Sequence, residues 1–275
     1  MKNHCIALPS GNSLEALVAV WFGTTVPGAE ASYLPVEEEL KRCNPGIPLY
    51  RAYLSGMVRR RLGGRVPAPA ECLKQLLDAG IRRVGVFSGL LTAGEEFERL
   101  RAELVPFLPK NGGFDALSLS LPVCAEPDRR KQFFAAVAAT VPAGSAALFM
   151  GHGHADGRSD ALYCSAAEEW RQVHPGLFLA CVEGRPAFEE VRQELLHAEI
   201  NRLTLRPLLL TAGDHARNDL AGSGAESWKS QLEAAGIECI PELRGLGEYP
   251  AVAAVLAEAP FYPVEYPDGD RRKQQ

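Results

Sequence analysis

One stretch of this chain occurs twice without gaps, and this repeat constrains the fold more than any other feature. Residues 76–96 align with residues 195–215 and end in Leu-Leu-Thr-Ala-Gly-Glu-Glu and Leu-Leu-Thr-Ala-Gly-Asp-His. Each copy has the pattern of a helix end, a strand and a loop that opens a new helix. The last matched residues are Glu96 and His215. A carboxylate and an imidazole at equivalent strand ends favour a metal or proton-transfer site between two halves.

The rest of the chain indicates an α/β fold with parallel sheets. Strands are predicted at 14–22, 48–54, 83–88, 115–121, 146–150, 178–182, 202–210 and 237–241. Helices are predicted at 30–42, 70–79, 94–107, 127–141, 158–172, 186–197, 228–235 and 250–257. Strands that alternate with helices form right-handed units around parallel sheets. The pattern restarts after Pro142-Ala143-Gly144-Ser145, which predicts two similar three-layer α/β/α half-domains, 1–143 and 144–275, with the last fifteen or so residues peripheral.

Composition excludes several classes of function. The chain has 275 residues and a net charge of -5, which argues against nucleic acid as a partner. The basic clusters at 59–61 and 271–273 are too local to change this, and the second is expected to be a solvated tail. No apolar run is long enough for a membrane span, and residues 1–12 lack the pattern of a secretory signal. Seven scattered cysteines without a CxxC pair are typical of reduced structural thiols. We therefore expect a cytoplasmic protein without a membrane partner.

Two histidines follow predicted strands in surroundings that suit chemistry. His152 stands between Gly151 and Gly153, where glycine allows a ligand to approach closely. His215 follows Asp214, whose carboxylate is expected to cap the new helix. The structural alternatives are a loop histidine without a role and a buried, hydrogen-bonded histidine. Two histidines with a carboxylate can bind divalent zinc, cobalt, nickel or iron, and the sequence does not choose among them.

Three further residues are weaker candidates. Glu96 and Glu183 follow predicted strands, but glutamates there are commonly solvated, and Glu96 could cap a helix. His154 could be a second ligand or an exposed neighbour of His152. The chain has no GxGxxG after its first strand, no phosphate-binding loop and no GxSxG, so nucleotide binding and esterase chemistry are unsupported. A zinc-dependent hydrolase remains the third and weakest alternative.

Several motifs together resemble the anaerobic sirohydrochlorin cobaltochelatase family, known as CbiK. The motifs are Met150-Gly151-His152-Gly153, Thr211-Ala212-Gly213-Asp214-His215-Ala216-Arg217-Asn218-Asp219, Ser227-Trp228, Gly245-Leu246-Gly247-Glu248, Phe22-Gly23-Thr24-Thr25, Ser55-Gly56-Met57 and Gly94-Glu95-Glu96-Phe97-Glu98. The resemblance extends over about residues 14–259. It implies a class II chelatase fold, in which two similar α/β domains enclose an active site in the cleft between them.

The resemblance also implies roles for individual residues. His152 and His215 match the family's two active-site histidines, and Glu96 matches the glutamate that completes its metal site. We assign His215 as base and metal ligand, His152 as second ligand or base, and Glu96 as ligand or proton acceptor, although the two histidines could exchange roles. Some members carry a histidine where this chain has Leu90, which removes any metal-delivery role of that position here.

The implied reaction is the insertion of Co2+, a substrate metal, into sirohydrochlorin on the anaerobic route to cobalamin. No organic cofactor is needed. Five arginines could bind the eight carboxylates of this tetrapyrrole: Arg51, Arg59, Arg60, Arg158 and Arg217. The alternatives are Ni2+ or Fe2+ as the metal, precorrin-2 as the substrate, or a non-catalytic tetrapyrrole- or metal-binding protein on the same fold. The oligomeric state is open, a homo-oligomer included.

Overall fold

A computed structural model describes residues 14–265 of the chain. The basic cluster at 271–273, Cys5 and residues 1–12, on which the sequence analysis drew, lie outside the described residues. Within 14–265 no helix is both long and apolar enough to cross a membrane.

The described residues alternate between strands and helices, as predicted. The strands are β1 Ala16–Trp21, β2 Leu49–Tyr53, β3 Arg83–Ser88, β4 Ala116–Ser120, β5 Ala147–Gly153, β6 Leu177–Glu183, β7 Arg202–Pro207, β8 Glu238–Pro241 and β9 Phe261–Pro263. The α-helices are α1 Leu34–Cys43, α2 Gly56–Arg61, α3 Pro69–Asp78, α4 Glu95–Leu104, α5 Pro127–Ala138, α6 Asp160–Val173, α7 Phe188–His197, α8 Trp228–Ala234 and α9 Pro250–Ala257.

The strands form two sheets with the same internal order. The first sheet runs β2-β1-β3-β4-β9 and the second runs β6-β5-β7-β8. Strands β1 to β8 pair with one another only in parallel, whereas β9 pairs with β4 in the antiparallel sense. Two parallel sheets with helices confirm the predicted fold class. The expectation that the last residues are peripheral is wrong for β9, because Phe261 is buried and pairs with Ser120.

The strand register shows which residues of the two sheets are equivalent. Val20 pairs with Ser88 in the first sheet, and Met150 pairs with Pro207 in the second. Ser88 and Pro207 are matched positions of the sequence repeat, so Val20 is equivalent to Met150. Two residues further on, Phe22 is equivalent to His152. The next pair supports this register, because Gly23 and Gly153 both have a positive φ, at 98° and 75°.

The described residues divide into two compact units. One unit contains residues 14–25, 37–126 and 256–265, and the other contains 26–36 and 127–255. Helix α5 belongs to the second unit, where Trp170 donates its indole N–H to the carbonyl of Phe134 at 3.0 Å. The boundary between 143 and 144 stays a prediction. Each unit has its own apolar core, and that of the first includes Phe97, Leu100 and Leu104 of α4.

Proline and glycine account for the largest differences in element bounds. The predicted helix 94–107 ends at Leu104 and continues as a 3₁₀ turn, because Pro106 has no N–H for an α-helical bond. The helix predicted to begin at Pro186 begins at Phe188. The strand predicted at 146–150 continues to Gly153, since pairing with β6 holds its two glycines extended.

Candidate functional site

His152 is the second-to-last residue of β5, and it does not lie in a loop beyond the strand as the sequence suggested. It is exposed, whereas its neighbours Gly151 and Gly153 are buried. Gly153 has a φ of 75°, and a Cβ atom there would approach the carbonyl oxygen of Glu183 to 1.7 Å. Only glycine fits this position. The close contact between β5 and β6 therefore holds the backbone that presents His152 at the carboxyl edge of the second sheet.

One hydrogen bond fixes the tautomer of His152. Its Nδ1 lies 3.0 Å from the carbonyl oxygen of Gly153. A carbonyl oxygen only accepts hydrogen bonds, so Nδ1 of the neutral ring carries the proton. Nε2 then keeps its lone pair, which can bind a metal ion or accept a proton.

His215 is held in a similar way by a carboxylate. It directly precedes a π-helical turn, Ala216–Leu220, and such turns occur frequently at functional sites. Its Nδ1 lies 2.5 Å from Oδ2 of Asp219, one turn later. An ionised carboxylate only accepts, so Nδ1 donates and Nε2 again keeps its lone pair. About 45% of the His215 side chain is exposed, which leaves Nε2 accessible.

Asp219 is the functional residue that sequence reasoning missed. The expectation named Asp214 as the carboxylate that caps this helix. Asp214 is exposed and makes no capping hydrogen bond among the described residues. A signal for Asp219 was present, since residues four apart on a helix lie on one face. A carboxylate behind a ligand histidine orients the ring and raises its basicity.

The structure brings the two predicted histidines together. The ring centroids of His152 and His215 lie 4.9 Å apart, and the planes meet at 86°. Two imidazoles, each with an unprotonated Nε2, thus lie next to each other in one unit. Imidazole nitrogen suits Co2+, Ni2+, Zn2+ and Fe2+ alike, so the pair can bind a divalent ion or take up protons without fixing which metal it prefers.

Glu96 occupies the position in the first unit that is equivalent to His215. It lies in the first turn of α4, eight residues after β3 ends at Ser88, as His215 lies eight residues after β7 ends at Pro207. Its side chain is half-buried. Within residues 14–265 no three His, Cys, Asp or Glu side chains are grouped so as to hold a metal ion. The role of Glu96 as a metal ligand therefore stays a prediction.

The weaker candidates make the following local contacts, which leave their roles a prediction. Nδ1 of His154 lies 2.9 Å from Oγ of Ser159, which ties the ring to the start of α6. Glu183 ends β6 with an exposed side chain, and its backbone carbonyl is what packs against Gly153. Leu90 packs against the apolar core of the first unit.

Two of the five candidate arginines are already neutralised. Arg51 donates two hydrogen bonds of 2.7 Å to the carboxylate of Glu37. Arg158 donates to Asp156 at 2.7 and 2.9 Å, and this guanidinium lowers the pKa of the Asp156 carboxyl to about 2. Neither is free to neutralise a carboxylate of a ligand.

Three buried cysteines offer no further soft ligand at neutral pH. Burial raises the pKa of Cys72 and of Cys239 to about 11 and that of Cys181 to about 12. Thiols with such pKa values stay protonated, whereas metal binding requires the thiolate. This agrees with the structural role expected from the sequence.

Comparisons with known proteins identify the family of this chain. The family described as Cobalt chelatase (CbiK) matches residues 15–259. The chain belongs to this family. A sirohydrochlorin cobaltochelatase of Salmonella typhimurium is 31% identical over 250 residues, which are 88% of this chain and 93% of the relative. Another CbiK family relative, the sirohydrochlorin cobaltochelatase CbiKC of Nitratidesulfovibrio vulgaris, is 32% identical over 235 residues and 83% of each chain.

Solved structures confirm the chelatase-like fold of this CbiK family member. SirB from Bacillus subtilis with Fe3+ has a TM-score of 0.62 at 15% identity, over 89% of this chain and 93% of that chain. The sirohydrochlorin chelatase SirB of the subspecies spizizenii in complex with cobalt has a TM-score of 0.56 at 12% identity, over 88% and 92%.

Proposed function

We propose that this protein is a sirohydrochlorin cobaltochelatase, which inserts Co2+ into sirohydrochlorin in the anaerobic synthesis of cobalamin. The observation that carries the proposal is the pair of neighbouring imidazoles, His152 and His215, each with Nδ1 engaged and Nε2 free. The family supports this choice, because its described activity is cobalt chelation. Its curated relatives, which extend over nearly the same length, are named for the same metal and tetrapyrrole.

The chemistry needs both a metal ligand and a base. Insertion replaces two pyrrole protons by one divalent ion, so two protons must leave the ring nitrogens. We assign His215 as the base and a metal ligand, since Asp219 stabilises the imidazolium that forms when Nε2 accepts a proton. The short bond to Asp219 also holds the ring in position, which removes an orientational cost at the moment of transfer.

His152 and Glu96 complete the proposed machinery. His152, whose ring lies next to that of His215, serves as the second ligand or second base. Glu96 is proposed as a further ligand or proton acceptor from the resemblance and from its equivalence to His215 in the repeat. The roles of the two histidines are interchangeable on chemical grounds, because both rings have the same tautomer.

Two further parts of the proposal concern the cellular compartment and the need for a cofactor. We propose that the reaction takes place in the cytoplasm and uses no organic cofactor. Supporting observations are the free cysteines among the described residues and the lack of a nucleotide-binding motif in the sequence. Metal insertion transfers no electrons, so the chemistry itself requires no redox group.

An anaerobic optical assay tests the proposal. Purified protein is mixed with sirohydrochlorin and Co2+, and the absorbance change of metal insertion is followed against a blank without protein. Ni2+ and Fe2+ are run in parallel, and precorrin-2 replaces sirohydrochlorin in a third series. We expect the largest acceleration with Co2+ and sirohydrochlorin. No acceleration with any pair, while the tetrapyrrole still binds, would make the protein a carrier instead.

A histidine series then assigns the base. His215→Ala is expected to slow insertion by about 10²- to 10⁴-fold, the usual contribution of a positioned general base. His197→Ala is the matched control, because His197 is an exposed histidine at the end of α7. A rate for His215→Ala equal to that of the control would preserve the activity but exclude His215 as base.

A further inference from the structure

Three segments of the first unit meet at the carboxyl edge of its sheet. The backbone N–H of Ser55 donates to the carbonyl of Phe22 at 3.0 Å, which ties the segment before α2 to the end of β1. Arg99 of α4 donates to the carbonyl of Leu54 at 3.4 Å. Glu96 lies three residues before Arg99, on the same face of that helix. The end of β1, the start of α2 and the first turns of α4 therefore form one connected surface.

This edge exposes apolar side chains that the first unit does not cover. Phe22 is 43% exposed and Met57 is 51% exposed, and they are two of only seven large apolar side chains exposed among residues 14–265. Phe22 is also the residue equivalent to His152 in the strand register. The position that carries an imidazole in the second sheet thus carries an exposed aromatic ring in the first.

Two guanidinium groups lie beside Gly56, the residue directly before Met57. A Cβ atom built on Gly56 would lie 3.5 Å from a terminal nitrogen of Arg60 and 3.7 Å from one of Arg59. Arg59 forms an ion pair with Glu71 at 3.7 Å, whereas Arg60 has no carboxylate partner among the described residues. The edge therefore combines an exposed aromatic ring and thioether with the unneutralised positive charge of Arg60.

We propose that this edge, made of Phe22, Met57 and the Arg59–Arg60 pair, binds the tetrapyrrole substrate, and the inference rests on the proposed function. Phe22 and Met57 contact the apolar face of the macrocycle, and Arg60, with Arg59 beside it, pairs with one of its carboxylates. An aromatic ring and a thioether both contact a flat π-system favourably. A guanidinium matches a carboxylate through two parallel hydrogen bonds.

The test measures binding of metal-free sirohydrochlorin under anaerobic conditions, by quenching of its fluorescence. Phe22→Ala is expected to raise Kd about tenfold, and Met57→Ala and Arg60→Gln each about fivefold, as expected for the loss of one stacking or ionic contact. KM for sirohydrochlorin should rise with Kd, while kcat changes by less than about twofold. All three side chains are exposed or on a short surface helix, so the variants should fold.

Matched controls use neighbouring residues of the same types. Tyr50→Ala removes an aromatic side chain of the same sheet that is 40% exposed and lies at the start of β2, and Arg61→Gln removes the next charge of α2. Both should leave Kd within about twofold of wild type. If the wild type binds and inserts cobalt but Phe22→Ala and Arg60→Gln bind like the controls, the proposed surface is wrong and the proposed function stands. If the wild type does not bind sirohydrochlorin, the proposed function and this inference both fail.

Discussion

The carboxyl edges of the two sheets differ in chemistry although their backbones are equivalent. In the second sheet the two equivalent positions carry His152 and His215, whose rings are in contact. In the first sheet they carry Phe22 and Glu96. The glycine that follows the first position has a positive φ in both copies. The comparison teaches that the duplicated backbone supplies two positions per sheet, and that side chains at those positions have diverged independently of the fold.

The space available for a Cβ atom at this glycine differs between the two copies, and this difference predicts the largest effect on stability. In Gly153→Ala the new Cβ would meet the backbone carbonyl of Glu183 at 1.7 Å, whereas in Gly23→Ala it would meet the side chain of Val58 at 3.0 Å. A side chain can move and a paired strand cannot. We expect Gly153→Ala to lower the free energy of unfolding by about 3 kcal/mol and Gly23→Ala by about 2 kcal/mol.

Urea unfolding of three variants checks this order. Gly144→Ala is the reference, because Gly144 has a φ of 78° and open space around it, so only the backbone strain of about 1 kcal/mol applies. Equal losses for the three variants would show that the contact between β5 and β6 does not define the His152 position.

The carboxylate of Asp219, which holds His215, has no assigned counterpart in the first unit. Its removal should slow cobalt insertion. In Asp219→Asn the amide carries no charge, and it can donate to Nδ1 as well as accept from it. The tautomer of His215 is therefore no longer fixed, and its imidazolium form is no longer stabilised. We expect cobalt insertion to slow by about 10- to 100-fold, the range found when outer partners of ligand histidines are removed. The readout is kcat at saturating sirohydrochlorin.

Asp78→Asn provides the control for charge loss, since Asp78 pairs with Lys74 on an exposed face of α3. Its rate should equal that of wild type. The assignment of Asp219 as a positioning residue would be abandoned if both aspartate variants showed the same kcat.

Removal of the carboxylate in the first sheet should have the smallest effect. Glu96→Gln keeps the shape of the side chain while it removes the charge. We expect a loss of only a few-fold in kcat/KM for Co2+, because the two imidazoles still present their lone pairs. The ratio of kcat/KM for Co2+ between Glu96→Gln and wild type measures this. A loss as large as that of His215→Ala would make the two sheets equal partners in catalysis.

The fold was largely predictable because the apolar runs are bounded by clear stop signals. Strand β3 and helix α9 match their predicted bounds, since each is a compact run between turn residues. Strand β5 was predicted too short because glycine is uncommon in strands. Gly151 and Gly153 belong to the strand only because they pair with β6. Strand β9 was missed because three residues at a sheet edge leave no periodic pattern.

The candidate site was predictable in its residues but not in its geometry. Glycine around His152 and the repeat ending at His215 marked both histidines, and the structure places their rings in contact. Their common tautomer depends on backbone and side-chain oxygens that come close only after folding. The equivalence of Phe22 and His152 follows only from the strand register, because the sequence repeat covers residues 76–96 and 195–215 and neither of these two residues.

One exchange between the sheets tests the central claim most directly. His152→Phe gives the second sheet the side chain that the first sheet carries at the equivalent position. The initial rate of anaerobic Co2+ insertion into sirohydrochlorin should fall by about 10²-fold or more, with the free energy of unfolding little changed because His152 is exposed. A wild-type rate in His152→Phe would contradict the account, since it would show that the paired imidazoles of the second sheet do not carry the chemistry.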